Sequence, residues 1–77
     1  MDIEKKVREI ILQNIEVFNE ELTEETDLRS VGMDSICFIE IISEIEDFFE
    51  IEFPMEKLII QNSSTIEKIV RTIEALK

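Results

Sequence analysis

Ser35 stands in the run Gly32-Met33-Asp34-Ser35-Ile36, immediately before a long amphipathic stretch, and Cys37 follows two residues later. These are the side chains whose placement could do covalent chemistry. A serine or cysteine nucleophile needs a neighbouring base, and the chain has no histidine. Ser-His and Cys-His hydrolase arrangements are thereby excluded, and so is the commonest metal ligand. Ser and Asp are both favoured helix N-caps, because a side-chain oxygen accepts one of the amides that lack a helical acceptor. Either Asp34 or Ser35 serves, and one cap is enough. The hydroxyl left over would stand at a helix N-terminus after a long loop, where the dipole and free amides favour a phosphate or phosphodiester. With no base to activate it, such a hydroxyl reads as the acceptor of a group attached by another protein. Cys37, without a partner base, reads as an ordinary, partly buried thiol. The loop glutamates lack the Asp-x-Asp-x-Asp-Gly spacing of a calcium loop, so no dedicated metal site is expected.

The elements that must position Ser35 follow from periodicity. Asp2 to about Phe18 carries apolar residues at Ile3, Val7, Ile10, Ile11, Ile15 and Phe18, the stripe of an amphipathic helix capped by Asp2. Asn19 to Ser30 is polar apart from Leu22 and Leu28, which predicts a long connecting loop pinned by those two leucines, with one helical turn started by Thr23. A second helix is expected from Ser35 or Ile36 to about Glu50. At about 100° per residue, Phe38, Ile41, Ile42, Ile45, Phe48 and Phe49 fall in one arc of roughly 120°, which a strand would split between two faces. Ile36 and Ile39 are left on the opposite, acidic side, among Asp34, Glu40, Glu46, Asp47 and Glu50. Apolar residues ringed by charge at that position read as a protein contact. Pro54 fits the first turn of a short third helix, Met55 to about Ile60. Ser64-Thr65-Ile66-Glu67 reads as a capping box, opening a last helix with a buried stripe of Ile66, Ile69, Val70, Ile73 and Leu76. The expected architecture is all-α: one domain, residues 1–77, with three main helices and one short one packed as a small bundle.

Composition narrows the function. A chain of 77 residues buries only about 60% of the surface its unfolded form exposes, which leaves no room for a deep catalytic cleft. The net charge is −11, from 19 acidic and 8 basic residues. It is concentrated: Glu9 to Glu56 holds 15 carboxylates against one cation, Arg29, a net −14, while the two ends together carry +3. Such a surface argues against nucleic acid and anionic membranes as partners and for a basic protein surface. One cysteine cannot close an intramolecular disulfide, the first residues have no apolar signal-peptide run, and no stretch reaches the roughly 18 apolar residues of a membrane span. A cytoplasmic location and a monomer are the expectations. On these grounds the chain is a small module modified at Ser35 by another protein or a noncovalent acidic helical adaptor in which Ser35 is only a cap.

Leu28-Arg29-Ser30-Val31-Gly32-Met33-Asp34-Ser35-Ile36, the Glu-rich amphipathic stretch after it, and Phe49-Glu50-Ile51-Glu52-Phe53-Pro54 together resemble the acyl carrier protein family and its peptidyl carrier relatives. The resemblance runs over essentially the whole chain. It implies an acyl-carrier-like bundle that is not itself an enzyme. A phosphopantetheinyl transferase, using coenzyme A and a divalent metal, would convert Ser35 into a serine bearing 4′-phosphopantetheine, and the arm's thiol would hold an acyl or aminoacyl group as a thioester. Asp34 matches the acidic residue before the family's serine and would support presentation of the site. Ile36, Ile39, Glu40, Glu46 and Asp47 fall where the family's second helix meets basic grooves of partners, namely the transferase, a loading enzyme of adenylation or acyltransferase type, and downstream condensing or tailoring enzymes. Fatty-acid carriers commonly follow the serine with Leu-Asp-Thr-Val-Glu-Leu, where this chain has Ile36-Cys37-Phe38-Ile39-Glu40-Ile41, and the Met55–Ser64 region lacks their very acidic text. These departures favour a stand-alone carrier of nonribosomal peptide or polyketide synthesis. A housekeeping fatty-acid carrier or a D-alanyl carrier is the alternative within the same mechanistic class.

Overall fold

The structure is a computed structural model that describes residues 2–77. Among them are three α-helices, α1 (Ile3–Asn14), α2 (Ser35–Phe49) and α3 (Ile66–Leu76), four short 3₁₀ turns and no strand. The all-α bundle expected from periodicity is the fold observed. α1 packs against both α2 and α3, and the interior is built almost wholly from Ile, Phe and Leu side chains of the three stripes, with Leu22 and Leu28 inserted from the loop as expected. Phe38, Ile41, Ile42, Ile45 and Phe49 form the buried side of α2, and Ile66, Ile69 and Ile73 that of α3. No described helix is long and apolar enough to cross a membrane.

Several boundaries depart from periodicity. α1 begins as expected, with the Asp2 carboxylate accepting from the Lys5 amide (3.2 Å), but stops at Asn14 instead of running to Phe18. Ile15 turns to extended backbone and still buries its side chain. The last carbonyl of the helix, Asn14 O, accepts from the Cys37 thiol of α2 (3.6 Å), and the Asn14 amide donates to Glu44 (2.6 Å). α2 thus terminates α1, and Phe18 is left 73% exposed. The helical turn expected at Thr23 is a tight turn closed by hydroxyls, in which Thr26 Oγ1 accepts from the Thr23 amide (3.0 Å).

Phe48 lies at the rim of the α2 arc and is exposed, with the Lys6 ammonium 4.3 Å from its ring centroid. α2 ends one residue before Glu50, which takes the left-handed conformation at the C-cap. The short helix expected over Met55–Ile60 is instead a pair of 3₁₀ turns, Met55–Leu58 and Ile60–Asn62, and Pro54 precedes the first turn instead of lying in it. Too few of its side chains are buried to pull it into an α-helix. The cap of α3 is Thr65, accepting from the Lys68 amide (3.1 Å), and not Ser64. Ser64 is buried, with its carbonyl accepting from the Leu28 amide (2.8 Å), and Glu67 pairs with Arg71 (3.1 Å), so the expected capping box does not form. Leu76, at the last turn of α3, is exposed where its stripe position predicts burial.

Candidate functional site

The loop into α2 is fastened at a few points that together set where Ser35 stands. Leu28 is fully buried, and its amide reaches across to Ser64 at the start of α3. Its carbonyl accepts from the Gly32 amide and from the Met33 amide (3.0 Å), folding Leu28–Val31 into a 3₁₀ turn. That closure needs a left-handed residue at position 32, where φ is +112° and glycine pays no side-chain penalty. The Met33 side chain then drops into the core, so the chain arrives at Asp34 from a fixed direction.

Asp34 takes extended backbone and caps α2: its Oδ1 accepts from the Cys37 amide (2.8 Å) and its carbonyl from the Phe38 amide (2.8 Å). This decides between the two capping candidates. Ser35 is the first residue of the helix and is exposed, and its hydroxyl is not needed to cap α2. A phosphodiester attached there would sit at the positive end of the α2 dipole, so the residues present fit the group that the sequence implies. The Asp34 carboxylate is committed to the Cys37 amide. Cys37 itself is not primed for chemistry: burial pushes its thiol above the ordinary range, and the charges of Asp34 and Glu40 push the same way.

The outer side of α2 continues from Ser35. Ile36 is 72% and Ile39 55% exposed, and Glu40 and Asp47 are exposed with them. Spacings of three, four and eleven residues from Ile36 bring this set to one face, together with Ser43 and Glu50, which sequence reasoning did not single out as contact residues. Glu46 is different. It is half-buried, and its Oε2 accepts from the Phe53 amide (2.7 Å), tying the exit segment back onto the helix. Glu46 therefore has a structural task that its place among the partner-contact residues did not foretell, and the signal for it was the acidic residue one to two turns before the Phe53-Pro54 exit. Met55, Leu58 and Ile59 are also exposed apolar side chains, which the sequence, read there as a short helix, does not single out.

Charge around the site is almost unrelieved. Arg29, the sole cation between Glu9 and Glu56, is spent on a two-pronged pair with Asp27 (3.0 and 2.9 Å). Hydrogen bonds from Arg29 hold the Asp27 carboxyl below its ordinary value, and the same pair raises Arg29. The acidic face of α2 therefore projects outward with no basic neighbour from its own stretch of chain.

Residues 5–73 match a family described as the phosphopantetheine attachment site. The chain belongs to this family. The acyl carrier protein of Syntrophus aciditrophicus is 36% identical over 78 residues, covering all of this chain and 91% of that protein. The acyl carrier protein of Streptococcus pyogenes serotype M1 is 34% identical over 74 residues, covering 96% of this chain and 95% of that protein. A non-reducing polyketide synthase of Monascus ruber, pigA, is 33% identical over 58 residues, which is 75% of this chain and 2% of the synthase. This is a family of carrier domains that bear covalent 4′-phosphopantetheine. Membership explains why an exposed, baseless serine at a helix start is compatible with function in this carrier domain.

Proposed function

We propose that Ser35 of this carrier domain receives a 4′-phosphopantetheine arm and that the domain shuttles thioester-bound acyl or aminoacyl groups between enzymes. The observation that carries the reading is the capping of α2 by Asp34 alone, which leaves the Ser35 hydroxyl exposed at the end of an acidic helix. In the loading step the Ser35 oxygen forms a bond to the pantetheine-side phosphorus of coenzyme A, the pyrophosphate linkage breaks, and the nucleotide leaves with the other phosphate. The hydroxyl proton passes to a base of the transferase, since this chain has no histidine to take it. The bound arm supplies the thiol on which cargo is held. Ile36, Ile39, Glu40 and Asp47 form the contact face, with an apolar centre to fix register and carboxylates to speed encounter with basic grooves. Asp34 supports the site by holding the helix start.

The names of the full-length relatives favour an acyl cargo. The text around Ser35 and Met55–Ser64 favours a specialised pathway of polyketide or nonribosomal peptide type over fatty-acid synthesis, and the partial likeness to a polyketide synthase is in keeping with it. The domain acts as a monomer in the cytoplasm, a setting that a lone cysteine fits. Incubation with coenzyme A, magnesium and a broad-specificity phosphopantetheinyl transferase tests the core of this reading by intact-mass spectrometry. A gain of one phosphopantetheinyl group in the wild type and none in Ser35→Ala is expected. A wild type that stays unmodified overturns it.

A further inference from the structure

Ser35, Ile39 and Ser43 recur at every fourth position of α2, and all are exposed. At about 100° per residue, each is turned only roughly 40° from the one before, so they form a single row down one flank of the helix. Ile39 lies about 6 Å and Ser43 about 12 Å from Ser35 along the helix axis. The row runs into an open depression of about 490 Å³, lined by Ile39, Glu40, Ser43 and Glu44 of α2 and by Asn14 at the end of α1. The Asn14 side-chain amide fixes the far wall, donating to Glu44 (2.6 Å) and to Ile10 O (2.8 Å). Ile39, 55% exposed, is the apolar part of the lining. The Ser43 hydroxyl and the carboxylates of Glu40 and Glu44 are hydrogen-bond acceptors around it.

We propose that this depression is the resting seat of the 4′-phosphopantetheine arm carried by Ser35. The inference rests on the carrier reading above. The arm is the occupant whose attachment point lies on the same row. It is about as long as five extended residues, roughly 17 Å, so it spans the row while its phosphodiester stays at the helix start. Ile39 receives the dimethyl carbon of the pantoyl group. Ser43, Glu40 and Glu44 accept from the arm's hydroxyl and amide N–H groups, which are neutral donors that carboxylates bind well. The anionic phosphate is left at the far end of the row, away from those carboxylates. Tethering holds the arm at an effective concentration in the mM range, so a shallow, open depression is enough to retain it. Ile39 also belongs to the contact face, and a partner that covers Ile39 takes this wall from the arm and leaves its thiol free to enter the partner's own site.

NMR of the domain before and after loading with coenzyme A and a broad-specificity transferase is the test, with intact mass reporting the loading. Cross-relaxation from the pantoyl methyl protons to the Ile39 side chain is expected, with loading-induced shift changes at Ser43 and Asn14 as large as those at Ile36 beside the modified serine. Ser43→Lys places a long side chain in the depression and, at an exposed position, should melt close to the wild type. Its loaded form is expected to lose more than half of the shift change at Asn14. A loaded wild type whose shift changes stop at Cys37, with no cross-relaxation to Ile39, overturns the seat and leaves the carrier reading intact. Pantoyl contacts with Met55–Leu58 in place of Ile39 overturn it equally, as does an Asn14 shift change that survives Ser43→Lys undiminished. Absence of loading in the wild type overturns both the seat and the carrier reading.

Discussion

Asp34 and Ser35 are neighbours with interchangeable capping propensity, and the division of labour between them follows from one dihedral arrangement: Asp34 is still extended when Ser35 is already helical. The two residues should therefore separate in a stability measurement. Asp34→Ala removes the acceptor of the Cys37 amide and is expected to cost about 0.5–2 kcal/mol in urea denaturation. Ser35→Ala, at an exposed position outside the cap, should stay within about 0.5 kcal/mol of the wild type while abolishing loading. A large stability loss in Ser35→Ala would instead favour the adaptor reading, in which the serine is a cap. Gly32 is constrained in the same region, since any side chain at its φ of +112° is strained. Gly32→Ala is expected to destabilise the loop closure on Leu28 and slow loading with it, measured by melting and by intact mass. Glu46, tied to the Phe53 amide, should respond to substitution with a drop in stability, unlike Glu40 or Asp47.

At the scale of the helix, α2 presents two opposed faces whose roles should come apart cleanly. Its inner face holds Phe49 at 5% exposure, and Phe49→Ala is expected to cost about 3–5 kcal/mol by leaving a cavity among Ile and Phe side chains. Its outer face contributes little to folding. Ile36→Ala, Glu40→Lys and Asp47→Lys should melt close to the wild type, while the two charge reversals slow association with a basic partner and flatten its salt dependence in stopped-flow measurements. Unchanged association for all three would remove α2 from recognition. The 3₁₀ turns between Met55 and Asn62 stand apart from both faces. They have only a few backbone bonds of their own, supplemented by side chain to backbone bonds such as Asn62 to Glu56 O (2.7 Å) and Ser63 to Lys57 O (2.8 Å), so this segment should exchange its amides faster than α2 or α3.

For the molecule as a whole, a net charge of −11 on 77 residues means that folding works against self-repulsion, and stability at neutral pH should rise with salt. Glu24 reports the same repulsion locally. Its hydrogen bond with Glu4, then the Glu4 charge and lesser effects that include Glu67 and Glu25, raise its carboxyl above the ordinary 4.5. A carboxyl raised on folding opposes folding above that raised value, and the penalty is relieved as pH falls through it. Glu24→Gln should therefore stabilise the domain at pH 7, with the gain fading as pH falls below that range. Asp27 runs the other way. Its carboxyl, lowered from 3.8 by Arg29, contributes stability above that ordinary value, which is lost as pH drops through the lowered one. Melting midpoints of Glu24→Gln and Asp27→Asn across acid pH distinguish these signs.

Periodicity alone determined that the chain is helical, which side of each helix is buried, and that Ser35 opens an acidic amphipathic segment, because burial imposes a spacing of three to four residues on every packed helix. The isoleucines at 36 and 39 were legible for the same reason, as apolar residues out of phase with the stripe. Helix ends were not. Whether α1 stops at Asn14 or runs on to Phe18, whether Ser64 or Thr65 caps α3, and whether Asp34 or Ser35 caps α2 are choices among local hydrogen bonds of nearly equal strength. Each goes with tertiary packing: the Cys37 thiol on Asn14 O, the Leu28 amide on Ser64 O, and Met33 buried in the core one residue before Asp34. The acidic serine-bearing helix belongs to the sequence; that Asp34 caps it and leaves the Ser35 side chain exposed belongs to the tertiary structure.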